Sequence, residues 1–129
     1  MKRTNIEFLI AWLDALRRDD RRTLLASLEP EVVWQGLKPD WVCHGPEAVV
    51  DVFSQHRDAG RDVESIELIG AERHAVLHAC GPGVREIEIE LEDGIYNVFA
   101  MSNGRVTRID DFTDRAAAFS TAGIENRVA

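Results

Sequence analysis

Hydrophobic residues recur every three or four positions over the first part of the chain, which is the spacing of one face of an α-helix. Thr4 and Glu7 stand at the spacing of a capping box where that pattern begins. The sequence therefore predicts a first helix over residues 5–18 and a second, shorter helix that Pro30 ends. The apolar face of the first helix is formed by Ile6, Leu9, Leu13 and Leu16.

The middle of the chain combines short extended runs with a third helix. Residues 31–36 and 41–44 are rich in β-branched and aromatic side chains, which predicts two short strands. Pro46 follows a glycine and precedes an apolar pattern of helical period, and proline is favoured at the first position of a helix. We expect the third helix to begin at Pro46 and to stop at Gly60.

Extended segments and tight turns dominate the rest of the sequence. Asn103-Gly104 predicts a hairpin turn, because both residues tolerate positive φ angles, and residues 115–119 predict a final helical turn. Helices come early and strands late, which is typical of an α+β domain. The segments predicted to be extended are 62–70, 74–80, 87–91, 95–101 and 105–112.

Length, charge and cysteine content exclude several classes of protein. The 129 residues (14.5 kDa) suit a single domain, with a core over residues 5–119 and a tail over 120–129. A net charge of −8 disfavours nucleic acid and anionic membranes as partners. There is no apolar run typical of a membrane span or a signal peptide. Cys43 and Cys80 lack the spacing of a zinc motif, so we expect reduced, unlinked thiols in a cytoplasmic protein.

The order of elements and several local motifs resemble the nuclear-transport-factor-2-like superfamily, especially its SnoaL-like branch. That resemblance implies an α+β fold in which a curved antiparallel sheet forms a cone, with three helices packed on its concave side. It also implies a pocket at the mouth of the cone and a homodimer formed through the outer face of the sheet. The matching segments are residues 8–18, Val32-Val33-Trp34, residues 45–50, Asn103-Gly104-Arg105-Val106 and residues 111–114.

Related chemistries can be compared position by position. The ketosteroid isomerase relatives use a Tyr, a carboxylate base and a protonated Asp, which the resemblance places at Trp12, Gln35 and Asn97. Gln cannot accept a proton at neutral pH, so that mechanism is disfavoured, although these side chains could orient a polar group. The Asp–Arg–Asp arrangement of the limonene epoxide hydrolases falls on Ala75, Arg73 and Asp111, so its first carboxylate is missing.

Asp111 is the best match to the acidic residue of the SnoaL-like cyclases. Burial in an apolar cone disfavours the charged form of a carboxylate, which suits a general base. His78 could complete a proton relay with Asp111, and Asn97 could orient the substrate. If Arg73 faces the pocket, however, His78 faces away from it, because side chains alternate along a strand. The other interpretation is that Asp111 faces solvent and pairs with an arginine.

We therefore expect a small enzyme that performs acid–base chemistry on a hydrophobic carbonyl- or hydroxyl-bearing molecule without a cofactor. The alternative is a non-catalytic ligand-binding or dimeric accessory domain. No metal site is expected, because His74 and His78 share a strand face but lie about 13 Å apart. The candidate catalytic residues are Asp111, His78 and Asn97. The candidate substrate-binding residues are Trp12, Trp34, Gln35, His44, Phe53, His56, Arg73, Phe99 and Met101.

Overall fold

Within the residues that the computed structural model describes, which are 4–58, 63–81, 91 and 93–124, the chain forms four helices and six strands. The predicted strand over 87–91, the predicted helix stop at Gly60 and most of the tail lie outside the described residues. The helices are α1 (Asn5–Arg17), α2 (Arg21–Ala26), α3 (Pro46–Asp58) and α4 (Arg115–Ala122). The strands are β1 (Leu28–Gln35), β2 (Val42–His44), β3 (Ser65–Gly70), β4 (His74–Cys80), β5 (Ile95–Ser102) and β6 (Arg105–Phe112).

The start of α1 confirms the predicted capping box. The Thr4 side chain accepts from the backbone N–H of Glu7, and the Glu7 carboxylate accepts from the backbone N–H of Thr4. The prediction that Pro30 ends the second helix is wrong, because α2 ends at Ala26 and Pro30 lies inside β1. The pairing of β1 with β6 shifts register between Leu28 and Val33, and such an irregularity tolerates a residue without an N–H.

The six strands form one sheet in the order β2-β1-β6-β5-β4-β3. The pair β1–β6 is parallel and the other four pairs are antiparallel, so the sheet is mixed where the sequence predicts a purely antiparallel one. The parallel pair arises because the long excursion through β2, α3 and β3–β5 brings β6 back beside β1 in the same direction. The α+β class is confirmed.

The turn between β5 and β6 is the predicted hairpin. Asn103 and Gly104 both have positive φ, at 52° and 76°, as a two-residue turn of this type requires. Beyond the turn the register shifts, since Ala100 pairs with Arg108 and Met101 with Val106. The extra residue, Thr107, forms a β-bulge that changes which side chains of β6 point inward.

Each face of the sheet has its own apolar core. The inner face packs against α1, α2 and α3, and the outer face packs against α4. Side chains along β4 alternate between the two faces of the sheet, because Ala75 and Leu77 belong to the inner core and Val76 belongs to the outer core. The outer core consists of Val76, Tyr96, Val98, Ala118 and Ala122.

The fourth helix corrects the expectation of three helices on one side of the sheet. The predicted helical turn over 115–119 is a full helix, which Asp114 caps at its start and Gly123 ends in the left-handed conformation. It lies on the outer face, where Phe119 stacks beneath the Arg115 guanidinium. None of the described helices is long and apolar enough to cross a membrane.

Candidate active site

A carboxylate, an amide and an indole meet on the inner face of the sheet. Asn97 on β5 stands directly opposite Asp111 on β6, and its Nδ2 donates to Asp111 Oδ1 at 2.6 Å. Trp34 on β1 pairs with Ile109, two residues before Asp111, and its Nε1 donates to the same Oδ1 at 2.7 Å. Three neighbouring strands therefore fix the position of one carboxylate oxygen.

This carboxylate lines one of two neighbouring pockets, named here the Asp111 lobe and the Asn97 lobe, whose walls share Trp34 and His56. The lobe at Asp111 has a volume of about 330 Å³ and the lobe at Asn97 about 440 Å³. Both volumes lie in the range of small-molecule sites. The Asp111 lobe is also walled by Trp41, Val42, Cys43 and Val52, and the Asn97 lobe by Leu13, Leu16, Val63, Ile66 and Leu77.

Stacked aromatic rings form the floor between the lobes. Trp34 lies almost parallel to Phe53, with ring centroids 4.1 Å apart and an interplanar angle of 12°. Trp12 supports Phe53 edge-on at 4.8 Å, and its Nε1 donates to Ser27 Oγ at 3.0 Å. Trp12 and Phe99 are fully buried, so they belong to the core beneath the pocket and do not line it.

Besides Asp111, three titratable side chains among the described residues line the Asp111 lobe, which are His56, Cys43 and the exposed Asp40. His56 on α3 is half-buried, and its ring lies edge-on to Trp34 at 6.2 Å. Cys43 lies beside Trp34 because β2 pairs with β1 at that position. Burial and then the negative charge of Asp111 raise the pKa of the Cys43 thiol, which keeps it protonated at neutral pH and unsuited to act as a nucleophile.

The structure does not bring His78 to this pocket. On β4 the residues Ala75 and Leu77 face inward, so His78 faces the outer side, where its ring stacks on Tyr96 at 4.0 Å. The predicted relay between His78 and Asp111 is therefore not formed, since the sheet separates the two side chains. The pairing of β4 with β5 decides which side chains of β4 face inward, because it aligns Leu77 with Asn97.

Four other predicted residues lie away from the pocket. Gln35 points to the opposite side from Trp34, and its amide donates to the carbonyls of Gly36 and Lys38 in the following turn. Arg73 is exposed in the turn before β4, four positions from Leu77, which places it about 13 Å along the strand. His44 lines a separate surface groove beside Leu28 and Pro30, and Met101 lies near Phe8 at the other end of the sheet.

Several lining residues escaped sequence analysis. Trp41, Cys43 and Val52 line the Asp111 lobe, and Val63 and Ile66 form an apolar rim of the Asn97 lobe with 37% and 53% of their surfaces exposed. The sequence signal for Trp41 is that an aromatic residue directly follows a predicted turn. The place of Cys43 depends on the pairing of β2 with β1, which no local pattern announces.

Solved structures with the same fold provide the comparison with known proteins. A nuclear-transport-factor-2-like protein of unknown function from Cytophaga hutchinsonii superposes with a TM-score of 0.60 at 11% identity, covering 92% of this chain and 97% of that one. A protein classed as a SnoaL-like polyketide cyclase from Shewanella putrefaciens gives 0.55 at 18% identity, with coverages of 90% and 82%. An LEH-like epoxide hydrolase from M. tuberculosis gives 0.54 at 21% identity, with coverages of 91% and 87%.

These superpositions define the class of the fold. The chain has the nuclear-transport-factor-2-like fold, as the sequence resemblance implied. No protein-family model matches the sequence, and no curated protein is significantly similar to it. Because this fold serves many chemistries, the function has to be argued from the pocket itself.

Proposed function

We propose that the protein is an enzyme that transfers protons to and from a hydrophobic small molecule bearing a carbonyl or hydroxyl group, with Asp111 as the acid–base residue. The observation that carries this proposal is the half-buried Asp111 carboxylate, to which the side chains of Trp34 and Asn97 donate in a pocket that Asp40 and His56 also line. General acid–base catalysis needs such a group within reach of the substrate proton and in a fixed orientation.

Trp34 and Asn97 act as positioning residues in this mechanism. Both donate to Asp111 Oδ1, and an indole or amide N–H does not take up a proton at neutral pH. The proton that Asp111 exchanges must therefore come from the bound molecule or from solvent. Asn97 is only 5% exposed and lines the second lobe, which places its amide beside the bound molecule as well.

The pocket walls favour a flat or alicyclic apolar substrate. Trp34 presents its ring edge and face to both lobes, and Phe53 backs it as a rigid stack. His56 borders both lobes, and because an imidazole has both a proton-donating and a proton-accepting nitrogen, it is placed to exchange a second proton with the substrate oxygen. Isomerisation, cyclisation and dehydration are reactions that such proton-transferring groups catalyse.

Two related mechanisms fit this pocket less well. Gln35, at the position of the ketosteroid isomerase base, is turned into a loop and cannot accept a proton. Ala75, at the position of the first epoxide hydrolase carboxylate, is fully buried in the inner core, and Arg73 is exposed outside the pocket. Among the described residues, chemistry centred on Asp111 is thus the arrangement that the pocket supports best.

Deuterium exchange tests the proposal without knowledge of the natural product. A panel of cyclic and aryl ketones is incubated with the protein in D₂O, and exchange at the carbon next to the carbonyl is followed by mass spectrometry. We expect the wild type to accelerate exchange for ketones that fit the pocket and Asp111→Asn to slow it by about 10²–10⁴-fold. Asp110→Asn is the matched control, since Asp110 lies on the other face of the same strand beside Arg108.

Binding separates the enzyme from a non-catalytic binding protein. Intrinsic tryptophan fluorescence reports occupancy, because Trp34 lines both lobes and Trp41 lines the Asp111 lobe. Ketones that bind without any accelerated exchange would favour the ligand-binding alternative. Exchange that Asp111→Asn leaves at the wild-type rate would remove Asp111 from the mechanism.

A further inference from the structure

A second cluster of reactive side chains lies on the outer face of the sheet, away from the Asp111 pocket. His78 and Cys80 are two residues apart on β4 and therefore share a face, and Asp93 joins them just before β5. The Nε2 atom of His78 lies 3.1 Å from Cys80 Sγ and 3.7 Å from Asp93 Oδ1. One nitrogen, one sulfur and one carboxylate oxygen converge here within 4.8 Å of each other.

We propose that His78, Cys80 and Asp93 form a zinc site. Zinc in proteins takes tetrahedral nitrogen, sulfur and oxygen ligands at about 2.0–2.3 Å, so ligand atoms lie about 3.3–3.6 Å from each other. The observed separations of 3.1 and 3.7 Å agree with that geometry within a few tenths of an ångström. A thiolate and an imidazole favour zinc over the hard cations, and solvent can supply the fourth ligand.

A second layer of side chains orients two of the three ligands, which are His78 and Asp93. Nδ1 of His78 lies 3.5 Å from Glu67 Oε1, and both oxygens of Glu67 accept from Arg115, at 2.8 and 3.1 Å. Tyr96 donates to Oδ2 of Asp93 at 2.5 Å. A metal-bound histidine usually donates its second ring N–H to a carboxylate, and here Glu67 offers that acceptor. The bond from Tyr96 turns Oδ1 of Asp93 toward the sulfur and nitrogen.

Zinc binding changes where the protons of His78 and Cys80 reside. In the structure Nε2 of His78 lies 2.5 Å from the carbonyl oxygen of Asp93, and because a carbonyl oxygen only accepts, a hydrogen bond between them requires the ring proton on Nε2. Zinc needs that lone pair, and the proton then resides on Nδ1, facing Glu67. Burial and the charge of Asp93 raise the pKa of the Cys80 thiol, so that thiol releases its proton to solvent when zinc binds. Each zinc therefore releases one proton.

The site is independent of the function proposed for Asp111, because the sheet separates the two. Zinc would fasten Asp93, at the end of the connection between β4 and β5, onto the outer face of β4. No local motif marks this cluster, because His78-x-Cys80 has no common zinc spacing and its third ligand comes 13 residues after Cys80. The pairing of β4 with β5 brings that ligand back.

Cobalt substitution tests the site directly. Purified, reduced full-length protein is titrated with Co²⁺, whose thiolate charge-transfer and tetrahedral d–d absorption report a sulfur ligand and the geometry. We expect both signals at one equivalent of Co²⁺, displacement by Zn²⁺, and loss of the charge-transfer band in Cys80→Ser. Cys43→Ser is the matched control and should keep the band, since Cys43 lies in the Asp111 pocket.

A milder variant guards against misfolding of the ligand mutants. Glu67→Gln keeps all three ligands but removes the carboxylate beside Nδ1, and we expect zinc affinity to fall about 10–100-fold by competition with a chelating dye. Absence of a cobalt signal in the wild type would overturn the proposal. A band that survives in Cys80→Ser or disappears in Cys43→Ser, or an unchanged zinc affinity in Glu67→Gln, would also contradict it.

Discussion

At the residue scale, Trp34 links the stability of the fold to the chemistry of the pocket. Its ring is 5% exposed and stacks on Phe53, while its Nε1 donates to the carboxylate of Asp111. A buried carboxylate without hydrogen-bond donors is costly, and Trp34 supplies one of the two donors that meet Asp111 Oδ1. The same indole therefore shapes the floor and fixes the charged group.

Replacing Trp34 with Phe separates these two roles. Trp34→Phe keeps an aromatic ring against Phe53 but removes the donor to Asp111, and hydrogen bonds to charged groups contribute about 1.5–3 kcal/mol. We expect the free energy of unfolding in urea to fall by about 2–3 kcal/mol, with weaker ketone exchange. Trp41→Phe is the control in the same pocket and should cost less. Equal losses for the two variants would contradict the role assigned to Trp34.

Tyr96 gives the protein a defined response to alkaline pH. Burial, and then its hydrogen bond to Asp93, raise the pKa of Tyr96 from its ordinary value of 10 to about 12. Between those values the folded state holds a proton that the unfolded chain has lost. The stabilisation is therefore complete below pH 10 and disappears as the pH rises toward 12.

The variant Tyr96→Phe tests this linkage. At neutral pH it should lower the free energy of unfolding by about 1 kcal/mol through the lost hydrogen bond. Between pH 10 and 12 its stability should decline less steeply than that of the wild type. Urea unfolding at several alkaline pH values measures both effects, and parallel declines for the two proteins would refute the assignment.

At the element scale, two glycines test how turns position the strands. Gly94 (φ 73°) precedes β5, and a Cβ there would lie 2.0 Å from the carbonyl oxygen of Ala79. Gly104 (φ 76°) has a similar conformation in the hairpin, but a Cβ there would meet open space. The two glycines therefore share a backbone conformation that strains an L-residue, but they differ in what an added Cβ atom would contact.

Alanine at each glycine should give distinct results. Gly104→Ala should cost about 1–2 kcal/mol of unfolding free energy, which is the strain of an L-residue in the left-handed region. Gly94→Ala should cost clearly more, because β4 and β5 must separate to admit the methyl group. Denaturant unfolding provides the comparison. A loss at Gly94 no larger than that at Gly104 would show that β4 yields easily at this point.

Local sequence patterns predicted most helices and strands, but not how these elements pair and pack against each other. The bounds of β4 and β6 and the Asn103-Gly104 turn follow from β-branched content and turn chemistry, which are local properties. The second helix is predicted to extend to Pro30 because proline usually stops a helix, whereas Leu28 pairs with Val106 of β6 and so belongs to β1. Tertiary pairing overrides a local preference there.

In the candidate site too, local patterns predict some residues, whereas the place of others depends on how the strands pair. Asp111 and Asn97 were both predicted, and they meet because β5 and β6 form a hairpin whose register follows from its turn. His78 could not be placed, since its face depends on how β4 pairs across a long connection with β5. Gln35 was assigned from resemblance alone, and the adjoining turn captures its amide.

At the scale of the whole molecule, the two faces of the sheet carry different cores and different candidate sites. The inner face holds the pocket and the larger core, and the outer face carries α4 and the His78 cluster. The α4 helix covers β4, β5 and part of β6. The outer side of β1 and its neighbour β6, around Val33 and Arg108, lies beyond the outer core that α4 covers.

A homodimer through that uncovered part of the sheet remains our prediction for the assembly. This surface carries Val33 together with Arg108 and Asp110, and C₂ pairing places the same strands of two copies against each other. Light scattering at micromolar concentration should then give twice the 14.5 kDa of the chain. Val33→Asp should shift the mass toward the monomer, because Val33 points outward between the inward-facing Val32 and Trp34. Ile10→Asp, at an exposed position of α1 on the other side, should leave the dimer intact. A 14.5 kDa species for the wild type would refute the dimer, and dissociation by Ile10→Asp would move the interface to α1.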